Sequence, residues 1–486
     1  MAVEGRDQNN TTYLILAVFV LFQMLKFYYL VPEAETGGDA AVKWRLAKDL
    51  ANGSLEVFRE PEFVNHHYLR WAGWLFPLLL VTSFGDSVVL YFASTAIPTS
   101  LAAIIFTTII FRHFGPVFAA LFALIWLVDP ELNRATFQLL PTGAGLLPLA
   151  LIVLIFQRFT EEKLSPTELV SGVAIGLFWL YGAKETNIFF APGLFFSIWV
   201  LAGWRHAFTF AAAFTALYAI EAVILSAMLG KVMIGGRLIE LLLGSGLHVN
   251  IMLEVSALSE RWDAGIFSRW YSVRPVHIPI YTPAIIIFFA VSIRYLFRLP
   301  ASPLKRLILC VSLMCLSFAI MTSFFFVSLD PIKLGQPIVS RYIAIILPLC
   351  AMAMFFVVSE AGKRLNFLNT MRSIALVLLI GALGMILKVT GYFGAVQWDV
   401  RTNPLLYDPH PLGYWVGYYD TLDEDIPDDI CEREWREVKK VFYGLMYVPE
   451  GKGDAEKLKI VNECPMALWP FSPTLYSRQF QRGGPK

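Results

Sequence analysis

Only 16% of the 486 residues are charged, so the places where this chain could do chemistry are few. Asp39 is the first. It follows Gly37-Gly38 and opens a run with apolar residues at 40, 44, 47 and 50, the spacing of one helical face, which Asn52-Gly53 closes. Asp39 reads as an N-cap accepting a backbone N–H, and Gly53 as the glycine just past the helix end. A cap does not exclude proton transfer, because a carboxylate held on a surface helix is also placed to act as a base. Asp129-Pro130-Glu131, with Arg134 nearby, is either a second acidic position or a helix stop, and Asp-Pro favours the stop. His66-His67 invites a metal or a polar acceptor. Neighbouring residues on a helix do not share a face, which favours an interfacial polar role. Glu221 sits in an apolar run, where an ionisable group is a functional suspect by default, with Tyr218 close enough in sequence to satisfy it. Lys388 reads as a side chain reaching out of an apolar run toward the membrane surface.

The elements that must position these groups are unusual. The chain is 57% hydrophobic and 15% aromatic, with a mean hydropathy of +0.60. A globular chain carries roughly 25% charged residues, and no soluble fold has interior enough for this much apolar surface. The expected class is an all-α polytopic membrane protein. Its 39 Lys+Arg against 38 Asp+Glu leave no basic excess for a phosphate backbone, so nucleic acid is excluded as a partner. Cys310, Cys315 and Cys350 lie in apolar runs and read as core residues. Cys431 and Cys464 lie in the long polar tail and are expected to form a disulfide if that tail faces an oxidising compartment. No cysteine has zinc or CxxC spacing, so no structural metal is indicated; whether a divalent ion takes part is left open.

Apolar runs near 12–31, 87–111, 115–130, 136–157, 168–183, 187–204, 207–229, 280–297, 306–328, 341–359 and 373–393 suggest about eleven spans. The run from Trp71 to Phe84 is too short to cross and reads as interfacial or re-entrant. The first run is long enough to span and lacks the cleavage site of a signal peptide. With the N-terminus inside, one set of short loops holds Arg112/His113, Arg158/Lys163, Arg205/His206, Arg294/Arg298/Lys305/Arg306 and Lys363/Arg364/Arg372, as the positive-inside rule requires. The C-terminus then emerges on the outer face. Residues 1–393 form the membrane module, with a first outer loop at about 32–86 and a second at about 231–280. Residues 394–486, with Trp398, Trp415, Trp435, Trp469 and the acidic run Asp423-Glu424-Asp425, read as a small outer-face domain. There is no internal repeat and no low-complexity tract.

The order of these features resembles the GT-C type of integral membrane glycosyltransferase, in particular the protein O-mannosyltransferase and aminoarabinose-transferase group. The likeness rests on span one and an outer-loop Asp, then Ala and Leu at helical spacing and a closing glycine. It continues with His66-His67-Tyr68-Leu69-Arg70 leading through Pro77 to Phe84-Gly85, Arg112-His113-Phe114-Gly115 before span three, Lys184 after span five, and Arg341-Tyr342 with Pro348 at span ten. It covers about residues 12–360 and leaves the tail unmatched. The resemblance implies transfer of a monosaccharide from a polyprenyl-phosphate carrier to a lipid, glycan or protein acceptor, with inversion at the anomeric carbon. Asp39 matches the family's catalytic base, and Lys184 and Arg341 its basic positions near the donor phosphate. His66, His67, Arg70, Asp129, Glu131 and Tyr342 are the candidate acceptor or substrate contacts. One departure stands out: the family's Asp near the start of span four is replaced here by Leu139-Leu140-Pro141-Thr142-Gly143. The expected location is a bacterial inner (plasma) membrane, with a periplasmic or lumenal outer face.

Two rivals belong to other classes. A lipid-linked-sugar flippase or transporter needs a charged path through the bundle, yet Glu221 is nearly alone there, and the inverted repeat of many transporters is missing. An outer-face polysaccharide polymerase or ligase would concentrate its charge in the second outer loop, where Arg237, His248, Arg261, Arg269 and Arg274 lie.

Overall fold

A computed structural model describes residues 16–17, 19–21, 39–54, 69–85, 88–137, 141–230, 232, 236–242, 278–324, 326–329, 332–334 and 344–364. The spans expected at 12–31 (apart from the few residues above) and 373–393 lie outside them. So do Lys388, the 394–486 tail and the Cys431–Cys464 pair.

Prolines and glycines cut the apolar chain into helices. Val88–Phe114 (α3) ends at Gly115, and Pro116–Val128 (α4) begins at once with proline in its first turn. Proline fits there because its missing N–H has no intrahelical partner to lose. Gly115 has φ +91°, and Gly203, between Ala191–Ala202 (α8) and Trp204–Leu229 (α9), has φ +93°. Such single-residue turns are open to glycine and strained for any side chain. Pro141–Thr160 (α6) is followed by Pro166–Ala183 (α7), whose start is a full capping box. The Ser165 hydroxyl accepts from the Glu168 N–H, and Glu168 accepts from the Ser165 N–H at 2.7 Å. Ile278–Leu296 (α11), Pro303–Phe324 (α12) and Leu347–Arg364 (α13) complete the bundle.

Six segments among the described residues are long and apolar enough to cross a membrane: Ala93–Phe114, Pro141–Thr160, Glu185–Ala202, Trp204–Met228, Pro303–Ser323 and Ala344–Gly362. Three boundaries differ from expectation. The crossing expected at 115–130 is a helix of 13 residues, about 20 Å long at 1.5 Å per residue, short of the ~30 Å hydrocarbon core. Asp129-Pro130 stops it, and the eight-residue helix Pro130–Phe137 (α5) carries the chain onward. The helix after it starts at Pro141 rather than 136. The segment expected to run to 328 ends at Phe324, beyond which Phe326–Leu329 (β1) and Ile332–Leu334 (β2) pair antiparallel. Among the described residues the architecture is therefore helical with one two-stranded antiparallel pair.

Lipid tails are as apolar as leucine, so helices in a membrane are held by close packing rather than by water exclusion. Glycines supply it. A methyl group on Gly193 of α8 would lie 2.3 Å from the Leu313 carbonyl oxygen and 2.6 Å from Met314 Cα, so α8 and α12 touch backbone to backbone. Gly172 and Gly176 of α7 instead make room for the side chains of Ile155 and Ile152 of α6. Phe190 stacks on Phe318 at 4.6 Å, and Phe106, Phe122 and Trp126 form an aromatic centre between α3 and α4. By contrast α9 is peripheral, with Phe208, Ile220, Val223 and Ile224 exposed.

Helices α3 and α6 run parallel, with Gly143 beside Thr99 and Gln157 beside His113, and polar contacts sort to two ends. At one end Arg112 pairs with Glu161 at 2.9 Å, Gln157 meets His113 at 3.1 Å, and Lys305 pairs with Glu360 at 3.4 Å. This basic end contains short loops. The far end contains the groups described next.

Candidate functional site

Asp39–Ala51 (α1) is the helix whose spacing the sequence displays. Its end is a Schellman motif: the Ser54 N–H bonds the Asp49 carbonyl at 2.8 Å and the Gly53 N–H bonds Leu50 at 3.0 Å, with Gly53 at φ +79°. Lys43, Trp44, Leu46 and Ala47 are buried. The face they form packs on Leu75–Phe84 (α2), a ten-residue helix too short to cross. The Lys43 methylenes lie where a side chain on Gly73 would be, 3.1 Å from a methyl at that position. A lysine stem can cover apolar surface in this way.

Ahead of α2, the 3₁₀ turn Trp71–Gly73 is clamped onto the bundle. Arg70 donates from Nε to Glu185 Oε2 at 3.0 Å and from Nη2 to Oε1, a two-pronged pair with both residues buried. Planar guanidinium matches planar carboxylate, and a charge-assisted pair of this kind is about twice as strong as a neutral hydrogen bond. The Trp71 indole N–H donates to Glu221 Oε1 at 2.7 Å. Its ring lies flat on Gly182, where a methyl would fall 2.3 Å from the indole, and beside Phe178 at 5.2 Å.

Arg237, in the short helix Gly236–Leu242 (α10), is wholly buried against the same place. Nη1 donates to the Leu69 carbonyl at 2.6 Å and Nη2 to the Tyr181 carbonyl at 2.5 Å; Glu221 is 3.4 Å away. The guanidinium stacks 4.1 Å above the Tyr181 ring. Lys184 caps the end of α7 in an extended conformation, donating its N–H to Leu180 at 3.2 Å, and its side chain is half-buried. Glu185 follows it and opens the 3₁₀ turn Glu185–Phe190, in which Asn187 bonds the Leu180 carbonyl at 2.9 Å.

Asp129 and Glu131 are buried at the same end. Asp129 accepts from the Glu131 and Leu132 N–H groups at 3.0 and 2.9 Å, so it ends α4 and caps α5 in one stroke. Thr95 of α3 fixes the other end of α5 by donating to the Thr136 carbonyl at 2.6 Å. The first turn of α6 separates this acidic pair from Lys184 and Glu185, with Gly143 against Ala135 and Gly145 against Asn187.

Of the residues singled out in the sequence, Arg70, Lys184, Asp129 and Glu131 therefore come to one end of the bundle. Asp39 begins α1, but its side chain lies outside the described residues, as do His66, His67, Arg341 and Tyr342 entirely. Tyr218 does not take Glu221 alone; Trp71 and Arg237 hold it. Glu185 and Trp71 were not singled out. The signal available was the polar quartet Lys184-Glu185-Thr186-Asn187 between two apolar runs, where a plain turn would need only glycine. Among the described residues no group of three or more His, Cys, Asp or Glu is placed to hold a metal.

The fold and this end cluster define a helical membrane protein with a buried charged network at one end of its bundle. A comparison with protein-family models and with curated proteins returns no match.

Proposed function

We propose that this protein is an inverting membrane glycosyltransferase that takes a monosaccharide from a polyprenyl-phosphate donor at the far end of the bundle. The supporting observation is the Arg70–Glu185 clamp. It ties Arg70, just ahead of the Gly73 against which Lys43 of α1 packs, to the residue that follows Lys184, which supports a site shared by α1 and that corner. In this reading Asp39 removes the proton from the acceptor hydroxyl as its oxygen bonds to the anomeric carbon. The bond from that carbon to the phosphate oxygen breaks, and the polyprenyl phosphate leaves with the electron pair. Lys184 and Arg341 meet the negative charge that grows on it. Arg70 is buried and committed to Glu185, so its part is to seat the segment. The acceptor is a lipid, glycan or protein hydroxyl on the outer face, and the membrane is a bacterial inner membrane.

The rivals draw less support. Glu221, the one acid suspected of lining a transport path, is engaged by Trp71 and Arg237 at the end of the bundle. Arg237, a candidate for a polymerase site, is wholly buried and turns Nη1 and Nη2 to backbone carbonyls. The test is Asp39→Asn, assayed for sugar transfer with a purified prenyl-phosphate donor in detergent. Asparagine caps a helix about as well as aspartate, so folding and donor binding should persist while turnover falls ~10²–10⁴-fold. Near-normal turnover would remove Asp39 from the mechanism and the family assignment with it.

A further inference from the structure

The segment that carries Arg70 and the corner that carries Lys184 are joined from a third direction. Arg237 touches both backbones just before the residues in question. Leu69, whose carbonyl it binds, precedes Arg70. Tyr181, whose carbonyl it also binds, lies in the last turn before Lys184. Both bonds come from one planar fork, which is itself held from below by the Tyr181 ring and from the side by Glu221.

We propose that Arg237 is a positioning residue, through which α10 sets the distance between the Arg70 segment and the Lys184 corner. Three features of the geometry carry this. First, the guanidinium is wholly buried, so its donors have no water to exchange with and the two carbonyls are tied whenever α10 is in place. Second, a rigid fork fixes two acceptors relative to each other, which a single ammonium on a flexible stem does not. Third, the site has been cut to fit α10. Gly236 has φ +71°, and a methyl there would lie 2.7–2.8 Å from the Tyr218 ring, so only glycine lets Arg237 approach this closely. The ion pair with Glu221 then supplies charge balance, not the positioning itself.

The effect on turnover rests on the transferase reading; the effect on geometry does not. Arg237→Lys keeps the charge opposite Glu221 and loses the fork, whereas Arg237→Met loses both. Backbone hydrogen exchange reads the geometry without any substrate. In Arg237→Lys, exchange at residues 69–74 and 181–187 should rise ~10-fold or more, while exchange at 305–320 in α12 stays as in the unsubstituted protein. Arg237→Met should exceed it at the same places. If Arg237→Met fails to fold, the lysine variant decides alone. Unchanged exchange at 69–74, or an equal rise in α12, would overturn the proposal. With a prenyl-phosphate sugar as donor, Arg237→Lys should lower kcat several-fold with KM within about twofold, because the displaced Lys184 acts on charge that grows in the transition state; a rise in KM at constant kcat would also overturn it. An unsubstituted protein that transfers no sugar would instead count against the transferase reading, leaving the exchange result to stand.

Discussion

The Arg70–Glu185 pair ties the first segment to the bundle, and its removal can be worked through. Both side chains are about 95% buried, at 5% and 7% relative exposure. Arg70→Met keeps the apolar bulk of the stem but takes the guanidinium away from a buried carboxylate. Breaking one partner of a buried pair costs about 3–5 kcal/mol, most of it the stranded charge. Arg70→Met/Glu185→Gln removes both charges and should recover much of that loss, because a buried pair exchanged for uncharged groups is often near neutral. The cost should appear as opening of residues 39–85, where the clamp acts, and not as loosening of the bundle. A cysteine at Ala47, which is fully buried on α1, reports that opening through its rate of thiol labelling in the native state. At 1.4 kcal/mol per factor of ten, labelling should speed ~10²–10³-fold in Arg70→Met and return to within roughly tenfold of its starting rate in the double variant. Buried Cys310, Cys315 and Cys350 serve as internal controls, with Cys431 and Cys464 replaced by serine beforehand. The reasoning fails if Arg70→Met changes the rate less than tenfold, if Cys310 accelerates equally, or if the double variant labels as fast as the single.

Gly193→Ala should lower the melting temperature markedly, at ~1–3 kcal/mol or more, because backbone atoms of Leu313 and Met314 stand in the way. Gly172→Ala should cost less, since there the obstacle is the flexible end of Ile155; equal melting temperatures for the two would contradict the packing account. At the basic end, burial alone would raise the Glu161 pKa, but its hydrogen bond to Lys163 and the nearby Arg112 outweigh it and hold the group below its ordinary 4.5. A depressed acid pKa contributes stability that is present above about pH 4.5 and is lost as pH falls through the lower folded value. The loss should be small, under ~1 kcal/mol for so exposed a pair of partners, and Glu161→Gln should flatten the melting-temperature profile in that window. A reporter active only outside the cytoplasm should be active when fused after Lys486 and silent when placed within 294–306; the reverse pattern would put the charged network on the cytoplasmic face.

Much of the scaffold was legible because it is written locally. An excess of apolar residues demands lipid as solvent whatever the fold. Pro116, Pro166 and the Ser165/Glu168 box start helices through their own backbone geometry, and Asn52-Gly53 ends one. Asp129-Pro130 was legible as a stop, though its consequence was not: the crossing expected at 115–130 is a 13-residue helix, and a separate eight-residue helix leads on to α6.

The site was not written this way. Arg70 meets Glu185 across 115 positions, Trp71 meets Glu221 across 150, and Arg237 reaches Leu69 across 168. Helical periodicity says which face of a helix is apolar, but in a chain where nearly every face is apolar it does not say which helix lies beside which. Lipid and leucine are equally good neighbours for such a face, so adjacency is left to glycine-sized gaps and to buried charges, whose cost in a low dielectric compels them to find one another. The sequence determined that Glu221, in an apolar run, would need a partner; only the packed bundle decided that its partners would be an indole and Arg237, an arginine expected in the second outer loop.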